Sequence, residues 1–121
     1  MNRITTFIIV ILVVVATACN KPHPKEVVYQ VTGAVSAYNL QYLDEQNVLI
    51  KEEVTPQSNQ DVWVYGFEAE EGDIVYINGK YNDINSGLKI QVLIDGKIYK
   101  QASSEGDTVN YLVVSGTVPY E

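Results

Sequence analysis

One cysteine and one histidine occur in the 121 residues, and that scarcity bounds the reactions the chain can support. A Ser or Cys nucleophile needs a base beside it, most often histidine, and structural or catalytic zinc draws on clusters of Cys and His. Cys19 and His23 both precede the first strand-like run, so the body that follows holds neither. Carboxylates remain. Glu52-Glu53 and Glu70-Glu71 could supply the acid and base of a glycoside hydrolase. Sequence neighbours in a strand point to opposite faces, however, and both pairs read as solvated charge. Asp83-Ile84-Asn85-Ser86-Gly87 sets oxygen donors at alternate positions ahead of a glycine, as a calcium loop begins. The bidentate Glu that should close such a loop is missing, since position 94 is Ile94. Asp83 and Asn85 are the metal candidates, and the same residue types are expected in a turn for conformational reasons alone. No glycine loop is built to cradle phosphate. These observations predict a chain that is not an enzyme and carries no cofactor.

Nine tyrosines and one tryptophan are the other chemically useful set, because Tyr and Trp dominate recognition surfaces. Tyr38, Tyr42, Trp63, Tyr65 and Tyr76 fall on strand-like runs and are expected to pack in the core or across strands. Tyr81, Tyr99 and Tyr120 are expected to be more exposed. With Trp63 they are the candidate ligand contacts.

Cys19 closes the run Val15-Ala16-Thr17-Ala18-Cys19. Arg3 supplies a positive start and Phe7 to Val15 is unbroken apolar sequence, the pattern of a secretory signal peptide. The apolar run is shorter than the ~20 residues a membrane span needs. The segment resembles the leader of bacterial lipoproteins, which ends in a lipobox. That resemblance implies cleavage after residue 18 and a covalent lipid on Cys19. Small side chains let a peptidase grip extended backbone, and the thiol forms the thioether to a diacylglyceryl group. Ala16 stands where such leaders usually carry Leu, Val or Ile. Two or three acyl chains, at about 0.8 kcal/mol per buried methylene, make an effectively permanent anchor. Asn20 follows, rather than the Asp that retains some lipoproteins at the inner membrane. The expected location is therefore the bacterial cell envelope, at the outer membrane, facing periplasm or cell surface.

Beyond residue 18 the chain carries seven Lys against fifteen Asp plus Glu, a net charge of −8. Nucleic acid needs a basic footprint and is not an expected partner. The same charge should keep a tethered body soluble and off anionic lipid. Residues 19–26 read as the lipidated cysteine and an extended tether, with Pro22 and Pro24 around His23. Residues 27–121 read as one domain. Runs from Val27, Val35, Val48, Asp61, Ile74, Leu88, Ile98 and Val109 alternate apolar and polar residues and are cut by turn clusters about every ten residues. Seven or eight short strands of this kind predict an all-β antiparallel sandwich. Leu88, Ile90, Val92 and Ile94 form the cleanest apolar stripe, and Asp95-Gly96 after it predicts a type I′ hairpin pairing the Leu88 and Ile98 runs.

The order of these pieces is similar to a small extracytoplasmic domain best known from the mycobacterial MmpS family. The matching pieces are Val28-Tyr29-Gln30-Val31-Thr32-Gly33, Tyr42, Trp63, Gly72-Asp73-Ile74-Val75-Tyr76 and Val92-Leu93-Ile94-Asp95-Gly96-Lys97, and the similarity spans most of residues 27–115. The resemblance implies an immunoglobulin-like β-sandwich and an envelope protein or transporter as partner. Mycobacterial members are anchored by an uncleaved helix and assist transporters that export lipids or siderophores. This chain departs in its lipobox and in lacking the cysteine pair some members have. The two functional expectations are a membrane-anchored, non-catalytic accessory or protein-interaction module and a lipoprotein that binds a small ligand such as a sugar, lipid or peptide.

Overall fold

The computed structural model describes residues 24–106 and 110–120. The leader at 1–18, Cys19 and His23 lie outside the described residues. Eight strands follow one another: β1 (Lys25–Thr32), β2 (Tyr38–Leu43), β3 (Leu49–Val54), β4 (Trp63–Ala69), β5 (Ile74–Tyr81), β6 (Gly87–Ile94), β7 (Lys97–Glu105) and β8 (Tyr111–Thr117), with no helix among the described residues. They form two four-stranded sheets, ordered β4-β1-β6-β7 and β3-β2-β5-β8, antiparallel at every pairing. The all-β sandwich expected from the alternating runs is what forms, four strands on four. Only β2–β3 and β6–β7 are hairpins within one sheet; the other connections pass between sheets.

Period-two patterning decides the faces. Val27, Tyr29 and Val31 of β1, Leu40 and Tyr42 of β2, Val75 and Ile77 of β5, Ile90 and Val92 of β6, and Leu112 and Val114 of β8 point inward and are buried. The predicted stripe of Leu88, Ile90, Val92 and Ile94 is buried along its whole length. Asp95 and Gly96 take φ of 51° and 81°, as a type I′ turn requires. The second strand begins later than its apolar run suggests. Val35 gives its N–H to Ser86 Oγ at 3.1 Å, which ties that stretch to the 82–86 loop, so pairing starts only at Tyr38.

The turns also account for part of the acidity. Each of the five aspartates among the described residues accepts a backbone N–H at a strand connection. Asp44 Oδ1 takes those of Gln46 and Val48. Asp61 takes Gln57, Asp73 takes Glu70 and Asp83 takes Asn85. Asp95 takes Glu26 from the neighbouring strand. Such side-chain acceptors fix turn geometry in place of a ladder bond.

The two sheets do not lie equally close everywhere. Their backbones approach along β7 and β8, where Lys100 Nζ donates to the Ser115 carbonyl at 3.0 Å. At the centre, a Cβ on Gly79 would stand 2.9 Å from Leu88 Cδ1 and 3.1 Å from Ile90 Cδ1, so only glycine lets β5 come this near the other sheet. On the opposite side β3 and β4 are the free edges of their sheets. Large rings fill the gap there.

Candidate functional site: an aromatic edge between the sheets

Trp63, Tyr65 and Phe67 alternate along β4 and face inward, as their spacing predicts. Because β4 is an edge strand, all three are half-buried rather than enclosed. Ile50, Glu52 and Val54 face them from β3 with the same partial burial. Behind them stand Tyr29 and Tyr42, both buried. The five rings touch in a continuous cluster. Tyr42 lies 5.1 Å from Trp63 and 5.0 Å from Tyr65, centroid to centroid. Tyr29 lies 5.3 Å from Phe67 and 5.9 Å from Tyr42. These are contact separations for aromatic pairs, so nothing can slip between the rings. The cluster closes the open side of the core and leaves ring edges at the surface.

Glu52 is the one charged group turned into this edge. Its two oxygens are both engaged: Oε1 accepts the Trp63 Nε1–H at 3.0 Å and Oε2 accepts the Tyr42 hydroxyl at 2.9 Å. The carboxylate thus latches the edge of one sheet to the edge of the other. Burial, then the bond to Glu52, pushes the Tyr42 phenol up to about 12. Glu52→Gln keeps the shape and leaves an amide nitrogen that cannot accept either hydrogen. One donor is then orphaned, at a cost of about 1–2 kcal/mol. Trp63 is the sole tryptophan, so its emission reports the latch directly. We expect a lower urea midpoint and a red-shifted Trp63 spectrum for Glu52→Gln; wild-type emission would show that the latch carries no load.

The other expected site residues do not converge on this edge. Tyr99 sits on β7, the opposite edge of the same sheet from Trp63. It is half-buried, with its hydroxyl against Gly116 where a Cβ would come within 2.7 Å. Tyr120 is 77% exposed and lies over Gly72. Tyr81 corrects the expectation of exposure: it is 1% exposed. It continues the inward face of Ile77 and Gly79, pairs with Tyr38, and donates its hydroxyl to the Gly106 carbonyl at 2.7 Å. Asp83 and Asn85 meet in a turn, Asp83 Oδ1 accepting the Asn85 N–H at 2.9 Å. No three of His, Cys, Asp and Glu gather as a metal-holding group among the described residues.

Glu52 is also a correction. Beside Glu53 it reads as solvated charge, yet only Glu53 is exposed; Glu52 is turned inward. The available signal was its place within the stripe Ile50-Glu52-Val54, where a lone charge on an apolar face demands partners. Tyr76, expected to pack within the core or across strands, lies on the outward side of β5, bonded to Asn78 on the same strand and, across strands, to Tyr111 of β8. No family model matches the chain, and no curated protein matches it.

Proposed function

We propose that the chain is a bacterial envelope lipoprotein, held in the membrane by lipid on Cys19, whose β-sandwich serves as a non-catalytic binding module. One observation carries the reading: the lipobox-like run ends at Cys19, six positions before β1 begins at Lys25. Six residues reach at most about 20 Å, so an anchor at Cys19 keeps the sandwich beside the bilayer. The net charge of the part beyond residue 18 favours a solvated body over one spread on anionic lipid. The similarity to MmpS-like domains adds an envelope transporter as one candidate partner.

The test is fractionation of the full chain expressed in a bacterial host. The intact chain is expected in the membrane pellet, with an N-terminal peptide heavier by a diacylglyceryl group. Cys19→Ser is expected to lose that mass and to leave the pellet or remain uncleaved. A mature chain bearing an unmodified thiol would overturn the anchor. Crosslinking followed by co-purification then asks whether one envelope protein is recovered above bulk lipoproteins.

A further inference from the structure

The outward face of the β3-β2-β5-β8 sheet carries two tyrosines, on β5 and β8. Registers set its rows: Glu53, Asn39, Lys80 and Tyr111 in one, and Lys51, Gln41, Asn78 and Val113 in the next. Tyr76 lies beyond them, opposite Ser115. Two Lys and one Glu are the only charged side chains across these rows, in a domain that is otherwise strongly acidic.

Asn78 is the informative residue. It points outward yet is only 4% exposed. Its Nδ2 donates to the Tyr76 hydroxyl at 2.8 Å and approaches Gln41 Oε1 at 3.5 Å. The Tyr76 hydroxyl is bonded in turn to that of Tyr111, which holds the Tyr111 phenol above its ordinary value. Tyr111 stands opposite Lys80, four residues from Tyr76, or about 13 Å along the strand. Two phenols can join across that span only by lying down toward each other over Asn78. Tyr111 has 46% of its surface exposed and Tyr76 less. Between β2 and β3 of the same sheet is a shallow depression of about 300 Å3 whose lining includes Asn39, Gln41, Lys51 and Glu53, with Lys80 of β5 between Asn39 and Tyr111.

We infer that this face is a carbohydrate-binding platform, with Tyr76 and Tyr111 stacking against an uncharged sugar ring and Asn39, Gln41, Lys51 and Glu53 meeting its hydroxyls. A pyranose offers a flat C–H face ringed by groups that both donate and accept. A partly exposed aromatic pair flanked by amides, two Lys and one Glu complements that chemistry. A lipid would need a continuous apolar surface, and an anionic ligand a stronger positive field. A peptide strand would add to the backbone of a sheet edge such as β8, whereas these tyrosines present side chains on the outward face of the sheet. The buried Asn78 fixes the Tyr76 hydroxyl, which in turn holds that of Tyr111, so little ordering is needed on binding. The inference rests on the binding-module half of the proposed function and is independent of the anchor.

The test is native affinity electrophoresis of the detergent-solubilised full chain through gels containing a β-1,3-glucan, a xylan, a β-mannan or an α-1,4-glucan. At least one is expected to retard the chain. Tyr111→Ala should weaken that retardation about tenfold, the usual loss for one stacking ring. Tyr76→Phe keeps the ring and cuts its ties to Asn78 and Tyr111 together, so a several-fold loss with unchanged Trp63 emission separates positioning from misfolding. Tyr120→Ala should behave as wild type. No retardation by any of the four, or equal retardation of wild type and both platform variants, overturns the inference. Membrane fractionation and crosslinking of the same preparation are untouched by either result, so failure here is distinct from failure of the lipoprotein reading.

Discussion

Tyr29→Phe is expected to lower stability by about 2–4 kcal/mol through the loss of a single oxygen. The side chain is fully buried in β1, but its hydroxyl belongs functionally to the other sheet. The β2–β5 ladder runs from Tyr38↔Tyr81 to Tyr42↔Ile77 and stops. The next pair in register would be Leu43 with Tyr76. There the Tyr29 hydroxyl donates to the Leu43 carbonyl at 2.8 Å and accepts the Tyr76 N–H at 3.3 Å. A phenol from one sheet thus stands in for the missing rung of the other. Phenylalanine keeps the ring contacts with Tyr42, Tyr65 and Phe67 and orphans two backbone groups, each costing about 1–3 kcal/mol when left buried and unpaired. Tyr29→Ala removes the ring as well and should cost at least as much as the 3–5 kcal/mol typical of aromatic truncation in a core. Urea denaturation followed by Trp63 emission measures both. A Tyr29→Phe variant within 0.5 kcal/mol of wild type would mean that water replaces the rung without loss.

That rung shows what was legible in the sequence and what was not. Alternation placed the inward face of nearly every strand, because burial of a period-two stripe depends only on local order. Asp95-Gly96 foretold its hairpin for the same reason: positive φ at two adjacent positions is a local demand. The pairing of distant strands is different. Nothing in Tyr29, Leu43 or Tyr76 taken singly says that two strands diverge there and a third closes the gap. Tyr81 reads as exposed from its place before the 82–86 loop, while its partner Tyr38 and the Gly106 carbonyl are supplied by segments far along the chain. Adjacency to Glu53 hides the place of Glu52 in the stripe of Ile50 and Val54. The platform of Tyr76 and Tyr111 depends on a register between β5 and β8 that brings together residues 35 positions apart. Sites made by cross-strand register are the part of a β protein that a linear reading reaches last.

The buried phenols also set a limit on the alkaline side. Tyr29, Tyr38 and Tyr42 are each pushed from 10 up to about 12, in every case chiefly by burial. The negative charges of Asp61 and Glu52 add to this at Tyr38, and the hydrogen bond to Glu52 adds to it at Tyr42. In the unfolded chain the same groups ionise near 10. Between pH 10 and 12 the folded state therefore holds protons that the unfolded state has released. Stability is fully present below pH 10 and falls as pH rises toward 12, by at most about 1.4 kcal/mol per pH unit for each phenol. Tyr42, whose hydroxyl reaches the half-open edge, should contribute least. Urea midpoints taken from pH 8 to 11.5 should be level to about pH 10 and then drop steeply. Absorbance at the tyrosinate band should show the ionisation of Tyr29, Tyr38 and Tyr42 appearing only with unfolding. Replacing Tyr38 by Phe should make the decline shallower, since one of the three linked protons is removed. A midpoint that stays flat to pH 11.5 would mean that these phenols ionise within the folded sandwich, and that the rings closing its open side are wetter than their packing implies.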